Sequence, residues 1–246
     1  MMTEPPADST AVFDDDYLYF FADMLEEKAE ADADRIWKLL GLEPGMEVLD
    51  LGCGHGRITN RLAARGCRVT GTDLSTVFLE RARQDAAERG VTVEYLHEDM
   101  RDLTGSGRFD RVVNWGNAFG FHTDADDREV LARIAEVLRP GGRLLLETIN
   151  YPRYIREYTP YSATERDGNL VVDIRRFDPV AGSSIATRTT VRDGEIRREP
   201  SWHRLHTFPE LRAWLEAAGF ATVDGYGEDA APLTTEHRRL NLVAGL

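Results

Sequence analysis

The chain has 246 residues, 42% of them hydrophobic, which suits one large α/β domain or two small ones with a substantial core. Its formal charge of −13 argues against nucleic acid and against a membrane surface as partners, because binding either requires many exposed lysines and arginines. The two cysteines show no disulfide or zinc spacing, no stretch is apolar enough for a membrane span, and the acidic N-terminus does not resemble a signal peptide. We therefore expect a cytoplasmic protein.

The first forty residues divide into two parts. Residues 1–12 combine prolines, hydroxyl residues and acids with little to bury, and we expect a disordered tail. Residues 13–41 carry apolar side chains at helical spacing and end in a glycine, which predicts a helical cap made of two helices or one broken helix.

Strands and helices alternate through residues 42–151. The predicted strands are 46–51, 68–73, 92–97, 109–114 and 143–149, and the predicted helices are 55–65, 75–89 and one that begins at Thr123 and Asp124. With two further strands near 220–226 and 239–244, this order predicts a Rossmann-like, doubly wound, seven-stranded and mostly parallel sheet of the α/β class, covered by helices on both faces.

The periodicity changes to two after the fifth strand. Residues 152–207 contain three β-rich stretches, and Arg192-Asp193-Gly194-Glu195 is a hairpin turn signal between two of them. We expect an antiparallel β insertion there, after which residues 208–246 return to the main sheet with one helix and two strands.

A glycine-rich turn follows the first strand in VLDLGCGHGR. Such a turn at the carboxyl end of a strand lets a nucleoside-bearing ligand approach the backbone closely. Gly52, Gly54 and Gly56 stand as G-x-G-x-G rather than G-x-G-x-x-G, and this spacing argues against a nicotinamide dinucleotide.

The segment DLGCGHG resembles the first motif of class I S-adenosylmethionine (SAM) dependent methyltransferases. That resemblance implies that Asp50, Gly52, Cys53 and Gly54 line the cofactor. Asp73 ends the second strand 21 positions after Gly52, the place expected for a carboxylate that accepts both ribose hydroxyls.

The resemblance extends to the adenine end of the cofactor. It implies that Leu74 lies on the adenine face, that Asp99 takes the adenine amino group, and that Met100 donates from its backbone. The motifs FDRVVNWGN and LRPGGRLLLE complete the family's order, and Asn114 at the end of the fourth strand joins the expected cofactor contacts.

A narrower likeness concerns the acceptor. EDMRDL, FGF after the fourth strand, the β insertion and HTFPELRAWLEAAGF together resemble small-molecule methyltransferases, including sugar amine N,N-dimethyltransferases of bacterial natural-product pathways. In those enzymes the insertion covers the acceptor pocket or lies between subunits. Here we expect a lid or a homodimer contact, since exposed strand edges favour pairing.

The predicted activity is methyl transfer from SAM to nitrogen or oxygen of a small metabolite, leaving S-adenosylhomocysteine. Alternatives within the same fold are carbon methylation, a reaction without methyl transfer, and a SAM-binding regulator without catalysis. A general base is needed only where the acceptor arrives protonated.

Candidate acceptor-side residues follow from position. His122 follows the fourth strand's loop and is a base, an acceptor ligand or a polar residue before a helix cap. Tyr17 and Tyr19 either close over the cofactor, Tyr17 as an acceptor contact and Tyr19 as a catalytic group, or pack the first helix. Trp115 and Asn117 are expected in the pocket wall.

Two histidines of the insertion, His203 and His206, are expected to face the same way and to line the acceptor pocket or a solvated strand face. A metal would need a further ligand that the sequence does not identify, so no metal site is predicted.

Overall fold

The computed structural model describes residues 11–246, which form two β-sheets flanked by six helices. The helices are α1 (Asp15–Leu40), α2 (Thr59–Ala64), α3 (Thr76–Arg89), α4 (Asp124–Val137), α5 (Tyr151–Arg156) and α6 (Phe208–Ala217). The strands are β1 (Glu47–Leu51), β2 (Arg68–Asp73), β3 (Glu94–His97), β4 (Phe109–Asn114), β5 (Leu138–Ile149), β6 (Tyr161–Arg166), β7 (Asn169–Asp178), β8 (Ser183–Arg192), β9 (Glu195–Arg204), β10 (Thr222–Tyr226) and β11 (Arg239–Gly245).

The larger sheet has seven strands in the order β10-β11-β5-β4-β1-β2-β3. All its neighbouring strands run parallel except β11, which is antiparallel to both β10 and β5. The order reverses beside β1, and ligands of open α/β sheets bind at such a point, beyond the carboxyl ends of the strands. The predicted Rossmann-like, mostly parallel sheet is confirmed.

Helix α4 shows how local sequence signals position an element. Thr123 caps it by accepting from the backbone N–H of Asp126, whose carboxylate in turn accepts from the backbone N–H of Thr123. The apolar stripe that predicted this helix faces the sheet and is fully buried. The helix ends at Val137, and β5 begins at the next residue.

The N-terminal cap differs from its prediction, since α1 is one continuous helix. Asp14 caps its start by accepting from the backbone N–H of Tyr17, and Gly41, in the left-handed region, ends it. The small side chains of Ala29 and Ala33 are completely buried, which lets the continuous helix pack closely on the domain where the sequence suggested a break. The predicted disordered tail falls mostly on residues that the structure does not describe, but Val12, at its end, is buried.

The insertion forms a separate sheet in the order β6-β7-β8-β9, antiparallel throughout. The predicted hairpin turn is confirmed: Asp193 and Gly194 both have positive φ, as tight β-hairpin turns require. The sequence analysis missed β6 and the short helix α5. Within the described residues, no helix combines the length and the apolar character that crossing a membrane requires.

Candidate functional site

A cavity of about 380 Å³ lies beyond the carboxyl ends of β1, β2 and β4. Its volume is within the range of small-molecule sites in proteins. The predicted site residues that line it are Tyr17, Asp50, Gly52, Cys53, Gly54, Asp73, Leu74, Met100, Trp115, Asn117 and His122. Those that do not line it are Tyr19, Asp99, Asn114, His203 and His206.

The three glycines after β1 are required for different reasons. All have positive φ, which non-glycine residues rarely adopt. A Cβ on Gly52 would lie 2.8 Å from Cβ of Ala118, and one on Gly56 would lie 2.5 Å from the hydroxyl of Tyr95. A Cβ on Gly54 would meet only the ring of Phe78, at 3.8 Å. Packing within the protein therefore requires glycine at 52 and 56, whereas Gly54 is free to face a ligand.

Asp73, at the end of β2, joins the glycine turn to the start of α3. One carboxylate oxygen accepts from the backbone N–H of Gly54 at 2.8 Å, and the other accepts from that of Ser75 at 2.8 Å. Burial raises its pKa, and these hydrogen bonds act against that rise. Each oxygen keeps a further lone pair, so the group can still accept the two hydroxyls of a ribose.

Asp50 lies under the same turn and is almost completely buried. Its Oδ2 accepts from the hydroxyl of Thr59 at 2.5 Å, and burial raises its pKa to about 6. It holds the first residue of α2 against the end of β1 while lining the cavity floor.

The predicted adenine end is only partly assembled. Met100 lines the cavity, but the carboxylate of Asp99 lies outside its wall and is held by the side chain of Arg101, with one contact of 2.6 Å. Glu98 lines the cavity instead, and burial raises its pKa. An acid is thus present at the expected strand end, one position earlier than the sequence analysis placed it.

Asn114 has a structural role in this arrangement. It is completely buried, and its Nδ2 donates to the carbonyl of Leu51 at 2.8 Å, which ties β4 to β1 beneath the glycine turn. The prediction that it contacts the cofactor is wrong for its side chain in this structure, because the side chain points into the sheet rather than into the cavity.

The loop after β4 carries Trp115 and Asn117 into the cavity wall, as predicted from position. Glu147 on β5 holds this loop, since its Oε2 accepts from the backbone N–H of Gly116 at 3.0 Å and of Asn117 at 3.2 Å. Arg239 on β11 binds the same carboxylate. Neither Glu147 nor Arg239 was predicted, because their pairing depends on contacts between strands far apart in the sequence.

His122 lines the cavity on the side away from the glycine turn. Its Nδ1 points to Asp127 of α4, 3.8 Å from Oδ1, and both side chains are buried. His206 approaches the other oxygen of Asp127, with Nε2 at 3.5 Å. Among residues 11–246, no group of three His, Cys, Asp or Glu side chains is arranged to hold a metal ion.

The two insertion histidines lie behind the cavity wall rather than in it, contrary to the pocket-lining interpretation. His203 Nε2 contacts the carbonyl of Phe119 at 2.9 Å, and burial lowers its pKa to about 4. His206 lies beyond the end of β9, packed between Phe119 and Trp214, and burial lowers its pKa to about 3. Both are buried, so the solvated strand face is wrong as well.

Residues 11–25 form the roof of the cavity. The members of this segment that line it are Ala11, Phe13, Asp14, Tyr17 and Leu25. The Tyr17 ring packs against Phe13 at 5.3 Å and Phe78 at 5.7 Å between ring centroids. Burial raises the pKa of its hydroxyl.

Tyr19 points the other way, and a role for it at the reacting atoms is wrong. Its hydroxyl donates to the carbonyl of Arg166 at 3.1 Å and accepts from Nδ2 of Asn169 at 2.9 Å, in the turn between β6 and β7. Positions two apart on a helix differ by about 200° in direction, so only one of the two tyrosines can face the cavity.

Ion pairs fasten the roof to the insertion. Arg192 contacts Asp15 at 2.7 Å and Asp16 at 2.8 Å, and Arg197 contacts Asp14 at 2.7 Å and also Asp16. These contacts join the start of α1 to the β8–β9 hairpin above the cavity.

Arg57 is a site residue that the sequence analysis missed. It is the single arginine or lysine among the residues that line the cavity, and its Nη1 is 2.7 Å from Oδ2 of Asp32 on α1. Its position, directly after the third glycine of the turn, is the signal that could have identified it. A cation there suits the carboxylate of an amino-acid moiety.

Comparison with known proteins gives consistent matches. A family model described as a methyltransferase domain matches residues 48–142. The protein YqeM of Bacillus subtilis (strain 168), named as a methyltransferase, is 36% identical over 205 residues, which are 80% of this chain and 83% of that protein. A ubiquinone biosynthesis O-methyltransferase of Nitrosococcus oceani is 34% identical over 196 residues, covering 79% of this chain and 71% of that protein.

A solved structure shows the same fold. It is that of SAM-bound CalS10, an amino pentose methyltransferase from Micromonospora echinaspora involved in calicheamicin biosynthesis. It matches with a TM-score of 0.65 at 24% identity, covering 89% of this chain and 90% of that chain.

The chain belongs to the SAM-dependent methyltransferases. It is an enzyme of the class I fold, and SAM is its cofactor. The cavity fits that molecule: Asp73 offers acceptors for the ribose, Gly54 leaves room beside the backbone, and Arg57 offers a cation for the methionine carboxylate.

Proposed function

We propose that this enzyme transfers a methyl group to nitrogen or oxygen of a small-molecule metabolite, in natural-product biosynthesis and in the cytoplasm. The observation that carries the proposal is the position of His122. It lies in the wall of the same cavity as the cofactor-binding turn, with a buried carboxylate behind its ring. A base placed there suits an acceptor that arrives as an alcohol or an ammonium.

The roof supports a small organic acceptor. Phe13 lies 5.3 Å from Phe121 and 5.3 Å from Tyr17 between ring centroids, and all three line the cavity. An aromatic surface of this kind suits a ring-sized ligand, which would displace water from it. A macromolecular acceptor would need an open surface, and the strongly acidic chain offers no basic path for nucleic acid.

The chemistry divides between the cofactor and the chain. SAM, when bound, supplies the methyl group together with its leaving group, so no covalent bond to the enzyme is needed. Asp73 and Arg57 bind and orient SAM through its ribose and its carboxylate. The aromatic roof excludes water, and His122 accepts a proton from the acceptor. The relatives support both nucleophiles, because one is named as an O-methyltransferase and another as an amino pentose methyltransferase.

The decisive experiment supplies SAM with a panel of amino sugars, simple amines and phenols and measures product masses. We expect one acceptor class to gain a methyl group while S-adenosylhomocysteine accumulates. The His122→Ala variant should lower turnover about 10²- to 10⁴-fold while keeping its affinity for SAM. The Glu129→Gln variant, on the exposed side of α4, is the matched control.

Other results would identify a different function. A supplied compound converted without a change in mass would establish a reaction other than methyl transfer, and a methyl group found on carbon would establish C-methylation. Tight SAM binding with no product from any panel member, or from an extract of small metabolites, would favour a SAM-binding regulator. Full activity of His122→Ala would remove that histidine from the mechanism.

We propose that the β insertion acts both as a lid over the acceptor pocket and as a homodimer contact. One of its faces packs on the roof, where Arg188 lies 5.8 Å from the Tyr17 ring centroid. Its opposite face exposes Tyr161, Ile174 and Ile196, each more than 60% accessible, and we propose that a second copy of the chain covers them in a homodimer. Light scattering of the wild type and of an Ile174→Lys variant tests this, and a wild-type monomer at high concentration would contradict it.

A further inference from the structure

Three buried titratable side chains lie together at the cavity wall, one in the wall and two behind it. Asp127 is 0% exposed, His206 is 1% exposed and His122 is 9% exposed. Neither oxygen of Asp127 has a hydrogen-bond partner within the described residues, and the same is true of Nδ1 of His122 and Nε2 of His206. Buried polar atoms are normally paired, so four unpaired atoms that converge on one point require an explanation.

Packing alone does not explain this group. A buried carboxylate without partners costs free energy, whereas an apolar side chain at the same position of α4 would cost none. The start of α4 already has three acidic residues, Asp124, Asp126 and Asp127, and only the last points inward. The other two serve the cap and an ion pair with Arg204.

We propose that Asp127 is a positioning residue that holds the Nδ1–H of His122, leaving Nε2 on the cavity side as the proton acceptor, and that His206 holds Asp127 from behind. The separations of 3.8 Å and 3.5 Å are longer than hydrogen bonds, so the proposal requires both contacts to shorten when substrate binds. Catalytic hydrogen bonds commonly tighten only when the substrate is bound.

The order of the three groups determines what each can do. Only His122 reaches the cavity, so only it can take a proton from an acceptor. When it does, the imidazolium forms beside the Asp127 carboxylate, and the negative charge favours that state. His206 is fixed between the Phe119 ring at 5.6 Å and the Trp214 ring at 4.9 Å, so it sets the rotamer of Asp127.

Several other charged groups surround His122, Asp127 and His206. They are Asp124, Asp126 and Arg128 on α4, Arg204 on β9, Glu210 on α6, and Asp99 before the short turn at Met100–Asp102. Arg204 is neutralised by Asp124 at 3.1 Å and Glu210 at 2.8 Å, and Arg128 stacks on the Trp214 ring. Asp124 also approaches Nε2 of His206, at 3.9 Å, but that nitrogen lies closer to Asp127, at 3.5 Å.

This inference rests on the proposed methyl transfer. Its kinetic test requires that activity, whereas a second test, by NMR, does not. The Asp127→Asn variant keeps the size of the side chain and removes its charge. We expect kcat to fall about 10- to 100-fold with SAM affinity unchanged, because the His122 ring loses the carboxylate that orients it. Glu129→Gln should change neither quantity.

A double-mutant cycle distinguishes a role of Asp127 in positioning His122 from a role in supporting the fold alone. If Asp127 acts through His122, adding Asp127→Asn to His122→Ala should cost no further activity. A further loss equal to that of the single Asp127→Asn variant would overturn the proposal. His206→Gln should give a smaller loss in the same direction, and its failure to fold would leave the cycle unaffected.

The part that needs no acceptor is nitrogen NMR of the histidine rings. In the wild type we expect His122 to carry its proton on Nδ1, and in Asp127→Asn we expect the two tautomers to mix. An Nε2–H tautomer in the wild type would overturn the inference even if methyl transfer is established. A correct tautomer in a protein that methylates nothing would instead contradict the proposed function alone.

Discussion

Replacing Asp73 with asparagine should weaken SAM binding about 30- to 150-fold. The carboxylate accepts one backbone N–H on each oxygen, from Gly54 and from Ser75, both at 2.8 Å. An amide places its NH₂ group against one of these donors and also removes the charged acceptor for the ribose. Losing charge-assisted hydrogen bonds of this kind costs about 2–3 kcal/mol, and each 1.4 kcal/mol corresponds to about tenfold in Kd.

Calorimetric titration with S-adenosylhomocysteine and with its 2′-deoxy analogue tests that reasoning. The analogue should bind the wild type more weakly than the parent compound, whereas the Asp73→Asn variant should distinguish them much less. Asp85→Asn, which removes a carboxylate paired with Arg81 on α3, is the matched control. An unchanged Kd, or an equal penalty for the analogue in both proteins, would show that the ribose lies elsewhere.

Two further predictions concern stability. Between about pH 6 and pH 4 the free energy of unfolding should fall by about 1.4 kcal/mol per pH unit from five buried groups. Burial lowers the pKa of three histidines to about 4, 4 and 3, so in this pH range they bind three more protons in the unfolded chain. Burial raises the pKa of two carboxyls to about 6, so these bind two more protons in the folded state. The unfolded chain therefore binds a net excess of about one proton, which gives the slope. These groups are His55, His203 and His206, and Asp50 and Asp127. Urea unfolding at several pH values measures the slope, and a rise in stability on acidification would contradict it. For the glycine turn, Gly56→Ala should lower the thermal midpoint more than Gly54→Ala, because both adopt positive φ at a cost of about 1–2 kcal/mol but only Gly56 adds overpacking of about 1–3 kcal/mol. Gly54→Ala should mainly weaken SAM binding, and equal midpoints would refute the packing argument.

Much of the main sheet could be predicted because its signals are local. Strand β2 and helix α3 meet at Asp73 and Ser75, and Ser75 and Gly90 cap the two ends of that helix. The glycine turn and the carboxylate 21 residues later are likewise signals read from spacing. Such signals can be read from the sequence because each depends on backbone conformation at a few neighbouring residues.

The acceptor side could not be predicted in the same way. Asp127 has the sequence context of an ordinary acid in the first turn of a helix, and only the fold brings His206 beside it. The sequence does not distinguish Tyr17 from Tyr19, since both are tyrosines in the same stretch of α1. The orientation of α1 against the insertion decides which one faces the cavity. Arg57 stands in a recognised motif, but its partner Asp32 comes from the N-terminal helix. Contacts between distant segments decide all three.

The fastening of the roof to the β8–β9 hairpin limits how this enzyme can be re-engineered. Residues 11–25 belong to the roof, the hairpin turn lies at Asp193, and two arginines of the hairpin form ion pairs with three aspartates of the roof. A chimaera that borrowed the insertion from a relative while keeping this N-terminus would leave those carboxylates crowded and uncompensated above the cavity. We therefore expect a chimaera to acquire the acceptor preference of a relative only when the N-terminal roof and the β insertion are exchanged together.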